Sequence, residues 1–213
     1  SPENIFVGNG AIEVIQAVLH SFVGGKLCVI IPTFSSYYEF VMPGTEVVFY
    51  KLKKESTFRF DAEDYLSFIR DNKVDSAVII NPNNPDGGYI NRETLEHLLR
   101  NMGGLANVIL DESFVDFAYE DEALSRVSLQ GYINRYPNLT IIKSMSKDFG
   151  IAGIRAGYGI MAEDRVRRLL SNGYLWNVSG LADYFFRLYG DSGFLELYET
   201  ARKNYIRHTI DFI

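Results

Sequence analysis

The stretch "SMSKDFGIAGIRAGYG", from Ser144 to Gly159, combines residue types that could do chemistry. Lys147 stands among small and hydroxyl-bearing residues, and Arg155 follows eight positions later. A lysine amine near other cations, or removed from water, loses its proton more readily and can then act as a nucleophile that forms Schiff bases. An arginine is always charged and suits a phosphate. A solvated loop is the alternative interpretation of this stretch.

Two further polar side chains follow apolar runs. Asp111 ends the run in "ILDESF", where a carboxylate is costly to bury without a cationic partner. We interpret that partner as the ring nitrogen of a cofactor, with a helix cap or a structural ion pair as the alternatives. Asn84 lies in "NPNNPDG", whose Asn-Pro steps predict a rigid turn, and its amide could donate to a ligand oxygen.

Two motifs near the start of the chain add an anion site and an aromatic ring. In "GNGAIE", Gly10 precedes a predicted helix whose first N–H groups are free to bind an anion. A simple helix-entry turn is the alternative, and Glu13 together with the weak strand pattern in "NIFV" argues against a dinucleotide fingerprint. In "PTFSSYYEF", Tyr37 or Tyr38 could stack on a flat ring or pack in the core.

Short β-branched runs alternate with helical patterns along the chain, and they predict the scaffold for these residues. Several predicted strands are apolar on both faces, which is typical of a parallel sheet covered by helices. We therefore predict a doubly wound α/β domain, in which ligands bind beyond the carboxyl ends of the strands. The strands are predicted in "LCVII", "TEVVFY", "DSAVIIN", "NVILDE", "LTIIKS" and "AGYGIM", and the C-terminal part of the chain, from 181 to 213, is predicted to be helical.

Composition excludes several classes of protein. The 213 residues, of which 47% are hydrophobic, suffice for one large domain or two small ones. A net charge of −6 argues against binding to nucleic acids or anionic membranes. No run of apolar residues is long enough to span a membrane, and the first residues do not resemble a signal peptide. Cys28 is the only cysteine, which excludes a disulfide framework and favours a reducing, cytoplasmic location. The three histidines predict no metal cluster.

The motifs together describe a ligand with a flat ring, an aldehyde, a ring nitrogen and a phosphate, which are the features of pyridoxal 5'-phosphate. They occur in the order "GNGxxE", "PTFxxY", "NPNNPxG", "DExF" and "SxSKxxGxxGxRxGY". In this the chain resembles the fold-type I, pyridoxal-phosphate-dependent class I/II aminotransferases over essentially its whole length. It is most similar to the branch of the histidinol-phosphate aminotransferases and threonine-phosphate decarboxylases. The resemblance implies a three-layer αβα sandwich with a mostly parallel sheet.

The resemblance also implies a role for each site residue. Lys147 forms the Schiff base with the cofactor and then moves the proton. Asp111 pairs with the ring nitrogen, Tyr37 stacks on the ring, and Asn84 donates to its phenolic oxygen. The phosphate is held by the backbone of Gly10, Ala11 and Ile12 and by the side chains of Ser144, Ser146 and Arg155.

Two residues depart from the family pattern. Asp86 replaces a threonine in a turn, where we expect little effect on chemistry. Phe114 stands where many aminotransferases have a tyrosine that donates to the phenolic oxygen. Losing that bond should change the acidity of the Schiff base, which keeps decarboxylation open as an alternative. Trp176 and Asn177 match a family segment that lines the active site, with core or interface packing as the alternative.

The function implied is that of an enzyme, an aminotransferase that moves an amino group between an amino acid, phosphorylated or not, and a 2-oxo acid. A threonine-phosphate-type decarboxylase is one alternative, and a cofactor-binding sensor domain of a transcription regulator is another. The resemblance implies a homodimer with no nucleic-acid or membrane partner. We expect residues 1–213 to be the large domain of a longer protein. The small C-terminal domain, with the arginine for the substrate carboxylate, and an N-terminal segment would lie outside them.

Overall fold

Seven strands form one mixed sheet in the computed structural model, which describes residues 1–212. The strands are β1 (Ile5–Asn9), β2 (Lys26–Ile31), β3 (Glu46–Lys51), β4 (Ser76–Ile80), β5 (Asn107–Asp111), β6 (Leu139–Ser144) and β7 (Ala156–Ile160). Their spatial order is β1-β7-β6-β5-β4-β2-β3. Strand β7 is antiparallel to both β1 and β6, and the other neighbours pair in parallel. The predicted mostly parallel sheet is confirmed.

Seven helices follow or separate the strands in residues 1–212. Side chains cap three of them in the way that fixes a helix start: Asp61 accepts from the backbone N–H of Asp64, Asn91 from that of Thr94, and Ser179 from that of Ala182. The helices are α1 (Ala11–Phe22), α2 (Ser36–Glu39), α3 (Ala62–Asp71), α4 (Arg92–Asn101), α5 (Glu163–Ser171), α6 (Gly180–Tyr189) and α7 (Ser192–Phe212).

Each face of the sheet carries its own apolar core. On one face, Val14 and Val18 of α1 and Leu169 of α5 pack with strand residues. On the other face, α3 and α4 supply residues such as Leu66 and Leu98. The middle strands are buried on both faces, because every residue of β4, β5 and β6 lies below the surface. The three-layer αβα fold is therefore confirmed.

The sequence predicted strand β1 only weakly, from the short pattern "NIFV". It is an edge strand that pairs with β7 alone, so it needs only one buried face. Phe6 and Gly8 are buried, whereas Ile5 and Asn9 are exposed. A five-residue strand with a glycine and an asparagine carries little β-propensity of its own, and its pairing is decided by the neighbouring strand.

The C-terminal part of the chain, predicted to be helical, consists of α6 and α7, which pack over the carboxyl edge of the sheet. Met145, Ala156, Ala182 and Phe185 form the centre of a separate apolar cluster there. Within residues 1–212, no helix is both long and apolar enough to cross a lipid bilayer.

Glu112, the residue after β5, is a buried carboxylate that holds a distant loop. It is 3% exposed, and it accepts hydrogen bonds from the Ser128 hydroxyl and, at 2.8 Å, from the Leu129 N–H. Burial raises the pKa of Glu112 from 4.5 to about 7, although both hydrogen bonds oppose the shift. The folded protein therefore keeps a proton on Glu112 across a pH range in which the unfolded chain has lost it.

We predict that Glu112→Gln removes a pH-dependent loss of stability. Between pH 4.5 and 7 the unfolded state binds fewer protons at Glu112, so the free energy of unfolding falls as the pH rises, by on the order of 3 kcal/mol. The neutral glutamine keeps the shape and should make Glu112→Gln more stable than the unsubstituted protein at pH 8 but not at pH 4. Urea unfolding at both pH values measures this. The exposed Glu122→Gln is the control, and an identical pH dependence for all three proteins would contradict the prediction.

Candidate active site

One pocket lies beyond the carboxyl ends of β4, β5 and β6, beside the start of α1. The fold brings the loops after these strands to a single edge of the sheet, as expected for parallel strands. The pocket is lined by nine of the residues that the sequence singled out: Ala11, Ile12, Asn84, Asp111, Phe114, Ser144, Ser146, Lys147 and Arg155. Gly10 and Tyr37 do not line it, and Phe34 and Ser113, which the sequence had not singled out, do.

Asp111 is the buried acid of this pocket, and the residue as a whole is only 4% exposed. Its Oδ2 accepts a 2.7 Å hydrogen bond from the Tyr37 hydroxyl, and its Oδ1 accepts a 2.8 Å bond from the Ser113 N–H. Within residues 1–212 Asp111 forms no salt bridge. Its oxygens accept hydrogen bonds from neutral donors, and no cation balances its charge. A buried carboxylate of this kind favours a cation in the adjoining pocket.

The structure corrects the role predicted for Tyr37. Its ring is fully buried beneath the pocket, and its hydroxyl serves Asp111. Burial, followed by the charge of Asp111, raises the pKa of Tyr37 well above its ordinary value, so the hydroxyl keeps its proton and donates it. Phe34, which is 41% exposed, is the residue of this motif whose aromatic ring lines the pocket. Both residues belong to the motif "PTFSSYY", and their roles differ because their side chains point in different directions.

The opposite part of the pocket is built to hold an anion. Helix α1 starts without a side-chain cap, and Gly10 before it has φ +79°, a conformation that favours glycine. A Cβ at Gly10 would meet the Arg155 guanidinium, and one at Gly157 would meet the backbone of Ala11. Arg155 donates to the carbonyls of Ala152 (3.1 Å) and Asn9 (3.5 Å), and it forms no salt bridge to a carboxylate in residues 1–212.

Lys147 lines the same pocket as Asp111 and Arg155. The residue is exposed, and its Nζ is 5.3 Å from the centre of the Phe114 ring. Lys147 makes no ion pair within the described residues, so its amine is free to react with a ligand in the pocket. Phe114, whose ring carries no hydroxyl, therefore lies beside the lysine amine.

A chain of hydrogen bonds joins the acid to the lysine segment. The Ser113 hydroxyl accepts from the N–H of Ser144 at 3.2 Å, and the Ser144 hydroxyl accepts from the N–H of Ser146 at 3.2 Å. Because the Ser113 N–H also bonds Asp111, these links fix the lysine segment against the strand that carries the acid. Ser113 was overlooked because nothing in "DESF" indicates which way its side chain points.

Asn84 is placed by a loop that its neighbours hold closed. Asn81 and Ile90 exchange two hydrogen bonds of 2.9 and 2.7 Å across the loop. Asn83 donates to the Pro32 carbonyl at 3.0 Å and to the Asp86 carboxylate. Because these neighbours make the hydrogen bonds that hold the loop, the half-buried Asn84 amide is not used for them and faces the pocket. Asp86 serves the turn, as expected.

Other candidates from the sequence have structural roles. The Asn177 amide donates to the Val7 carbonyl at 3.0 Å and to Glu13 at 2.8 Å, which favours the packing interpretation for this residue. Trp176 is 98% exposed and does not line the pocket. Within residues 1–212, no group of His, Cys, Asp and Glu side chains could hold a metal ion. His97, for example, pairs with Glu63 at 2.7 Å.

Comparison with known proteins places this geometry in a family. The family model described as aminotransferase class I and II matches residues 1–187. The chain belongs to this family. Members of this family depend on pyridoxal phosphate, so the cofactor prediction is confirmed.

The similar proteins in this family include decarboxylases and a histidinol-phosphate aminotransferase. An L-serine phosphate decarboxylase of Campylobacter jejuni is 54% identical over 211 residues, which are 99% of this chain and 54% of that protein. The solved structure of a decarboxylase from Sulfurospirillum multivorans has a TM-score of 0.94 and 48% identity, and it covers 100% of this chain and 60% of its own. The solved structure of the histidinol-phosphate aminotransferase from Clostridium acetobutylicum has a TM-score of 0.76 and 34% identity. The match covers 92% of this chain and 57% of that protein's chain. The chain thus spans little more than half of each relative.

The residues of the pocket fit pyridoxal phosphate. Asp111 lacks a cation, and the cofactor has a ring nitrogen that can carry one. Arg155 lacks a carboxylate, and it lies with uncapped N–H groups where a phosphate would bind. Lys147 would hold the aldehyde and Asn84 would donate to the phenolic oxygen, while Phe34 faces the pocket with an aromatic ring.

We predict that Gly157→Ala weakens cofactor binding. Its Cβ would press on the backbone of Ala11, which forms the anion site, and overpacking of this kind costs about 1–3 kcal/mol. The dissociation constant for pyridoxal phosphate should rise about tenfold or more, measured by absorbance titration of folded protein. Gly131→Ala is the control, because a Cβ there meets open space. Equal affinities for the two variants would show that the anion site lies elsewhere.

Proposed function

We propose that this chain is the cofactor-binding part of a pyridoxal-phosphate-dependent decarboxylase that acts on a phosphorylated amino acid such as L-serine phosphate. The observation that carries the proposal is the 54% identity, across nearly the whole chain, with an L-serine phosphate decarboxylase. The sequence motifs had favoured an aminotransferase with decarboxylation as the alternative. The similarity of the relatives supports the alternative.

The geometry around Lys147 is compatible with this proposal. Phe114 presents an apolar ring 5.3 Å from the lysine Nζ, at the position where many aminotransferases have a tyrosine. A phenylalanine cannot donate a hydrogen bond to the cofactor's phenolic oxygen, so Asn84 is the remaining side-chain donor that the motifs assign to it.

When bound, the cofactor supplies an electron sink for the electron pair left behind when a carboxyl group departs as carbon dioxide. Asp111 would keep the ring nitrogen protonated, because a buried carboxylate stabilises a positive charge beside it. Arg155 and the first N–H groups of α1 would hold the phosphate. Lys147 would hold the aldehyde, and its Nζ would carry a proton for delivery to the substrate carbon.

The proposal extends to a longer protein. The chain spans 54% of the similar decarboxylase, so we infer that residues 1–213 are the large domain and that groups for the substrate's own carboxylate and phosphate lie outside them. Leu181 and Tyr184 of α6 and Leu197 of α7 are 69%, 68% and 74% exposed. Such exposed apolar residues are expected where further protein packs, and they support a homodimer. The cytoplasmic location stays a prediction.

We predict that full-length protein loaded with pyridoxal phosphate releases carbon dioxide and ethanolamine phosphate from L-serine phosphate in equal amounts. Lys147→Ala should lower this rate by at least about 10³-fold, since it removes both the covalent anchor and the proton carrier. Lys54→Ala, an exposed lysine outside the pocket, is the control. Borohydride reduction, digestion and mass spectrometry should locate the pyridoxyl adduct on Lys147.

The other outcomes of this experiment point to the alternatives. A keto acid formed without carbon dioxide would identify an aminotransferase. Cofactor bound at Lys147 with neither product from any amino acid would favour the sensor domain. Folded protein with no adduct on Lys147 would refute the site itself.

We predict that Phe114→Tyr shifts the titration of the bound cofactor. A tyrosine hydroxyl near Lys147 could donate to the phenolic oxygen and stabilise its deprotonated form. The pH at which the visible absorbance of the cofactor changes should then fall by roughly 1 pH unit, the value of one ordinary hydrogen bond. Phe117→Tyr adds the same hydroxyl to a neighbouring ring, whose centre is 6.4 Å from that of Phe114 and which does not line the pocket, and should leave the midpoint unchanged. A shift of equal size in both variants would contradict the assignment.

A further inference from the structure

The residue that follows Lys147 is a buried acid held by two donors. The Asp148 side chain is 3% exposed, although Lys147 itself is exposed. Its Oδ2 accepts a 2.6 Å hydrogen bond from the Tyr198 hydroxyl of α7, and its Oδ1 accepts one of 3.1 Å from Lys143 Nζ. A buried carboxylate is tolerated only when it is satisfied in this way. Asp148 is therefore a fixed point directly beside the reactive lysine.

The next residue, Phe149, is held by the same tyrosine. Its ring stacks on that of Tyr198 with centroids 4.2 Å apart and planes 19° apart. Phe194 of α7 stacks on Phe149 at 6.1 Å, and Tyr189 of α6 meets it edge-on at 5.5 Å. Tyr198 thus fixes two consecutive residues, one through its hydroxyl and the other through its ring.

Lys143 ties this contact to the sheet. It lies on β6, and its Nζ is 2.6 Å from Asp116 and 3.1 Å from Asp148. Burial opposes the charge on Lys143, but the two carboxylates outweigh it and raise its pKa, so the ammonium stays charged. The Tyr198 hydroxyl also keeps its proton, because burial and the nearby charges of Asp116 and Asp148 raise its pKa.

Further side chains hold α7 itself in place. Arg126 donates to Glu199 of α7 at 3.1 Å and lies 3.8 Å from Asp116. Arg202 of α7 is buried and donates to the backbone carbonyls of Asp116 and Leu124. The helix that carries Tyr198 is thus anchored to the segment that follows β5.

The lysine segment needs such support from outside. Residues 145–151 belong to neither a helix nor a strand. Besides the bond from the Ser146 N–H to the Ser144 hydroxyl, their backbone is held by one from the Met145 N–H to the Ala156 carbonyl and one from the Gly150 N–H to the Lys147 carbonyl, at 3.1 and 3.2 Å. The side-chain contacts of Asp148 and Phe149 therefore contribute much of what fixes the position of Lys147.

We propose that Tyr198 is a positioning residue for Lys147, acting through Asp148. It does not touch the pocket, and it holds the adjoining backbone so that the lysine amine stays above Phe114. This inference rests on the proposed function, in which Lys147 binds the cofactor aldehyde. A reactive group displaced by about 1 Å can lose on the order of a hundredfold in rate, so a hydroxyl that fixes the neighbouring residue is expected to have a measurable effect.

The test is Tyr198→Phe in the full-length protein, because phenylalanine keeps the ring that stacks on Phe149 and removes only the hydroxyl. In cofactor-free protein, hydrogen exchange of the amides of residues 145–151 should become about tenfold faster. After addition of pyridoxal phosphate, the reducible adduct at Lys147 should form about tenfold more slowly. Tyr205→Phe is the control, since Tyr205 lies on the same helix, is 57% exposed and contacts Phe117 through its ring alone.

A double-mutant cycle separates a positioning role from a general structural one. If Tyr198 acts through Asp148, then Tyr198→Phe should change the adduct rate less than about twofold once Asp148→Asn is present. Independent, multiplying effects of the two substitutions would overturn the proposal.

The remaining outcomes are distinct. A lower melting temperature for Tyr198→Phe with unchanged adduct and exchange rates would show a purely structural role and overturn the proposal. An adduct at Lys147 that forms equally fast in Tyr198→Phe and Tyr205→Phe would overturn this inference alone. If the unsubstituted protein forms no adduct at Lys147, the proposed function fails and this inference fails with it.

Discussion

The buried charge of Asp111 is the constraint on which the rest of the site depends. A carboxylate that is 4% exposed at the end of a central strand must be neutralised, and here two neutral donors, Tyr37 and Ser113, satisfy its oxygens without removing the charge. The adjoining pocket is consequently selective for a ligand with a cationic nitrogen. Across the pocket, Arg155 and the start of α1 select for an anion. A ligand that satisfies both groups has to carry both charges within the pocket that Lys147 also lines.

Residues whose role follows from chemical type could be predicted from the sequence, because little else explains them. A lysine among serines, an aspartate after an apolar run and an arginine in a glycine-rich turn have few structural uses, and the structure brings Lys147, Asp111 and Arg155 to one pocket. The alternating pattern likewise predicted the layers of the fold. Strand β1 was the exception, because an edge strand takes its conformation from its partner and not from its own residues.

Residues whose role depends on direction could not be predicted in this way. Phe34 lies before the short helix α2 and Tyr37 lies within it, and the first faces the pocket while the second enters the core. Both are aromatic, and the sequence offers no period over which their orientation could be judged. Ser113 and Asp148 were missed for a related reason. Their importance comes from partners that are distant in sequence, at Ser144 and Tyr198.

The lysine segment shows how a reactive residue can be exposed and still be precisely held. Residues 145–151 around Lys147 belong to neither a helix nor a strand, so they lack the regular backbone hydrogen bonds of those elements. The fold instead holds the neighbours of Lys147 through side chains, with a buried acid and a stacked ring on α7 and a serine chain leading back to Asp111. Tyr198 lies outside the motif, so a chain can keep the residues of the motif and still lose the hydroxyl and the ring that hold Asp148 and Phe149.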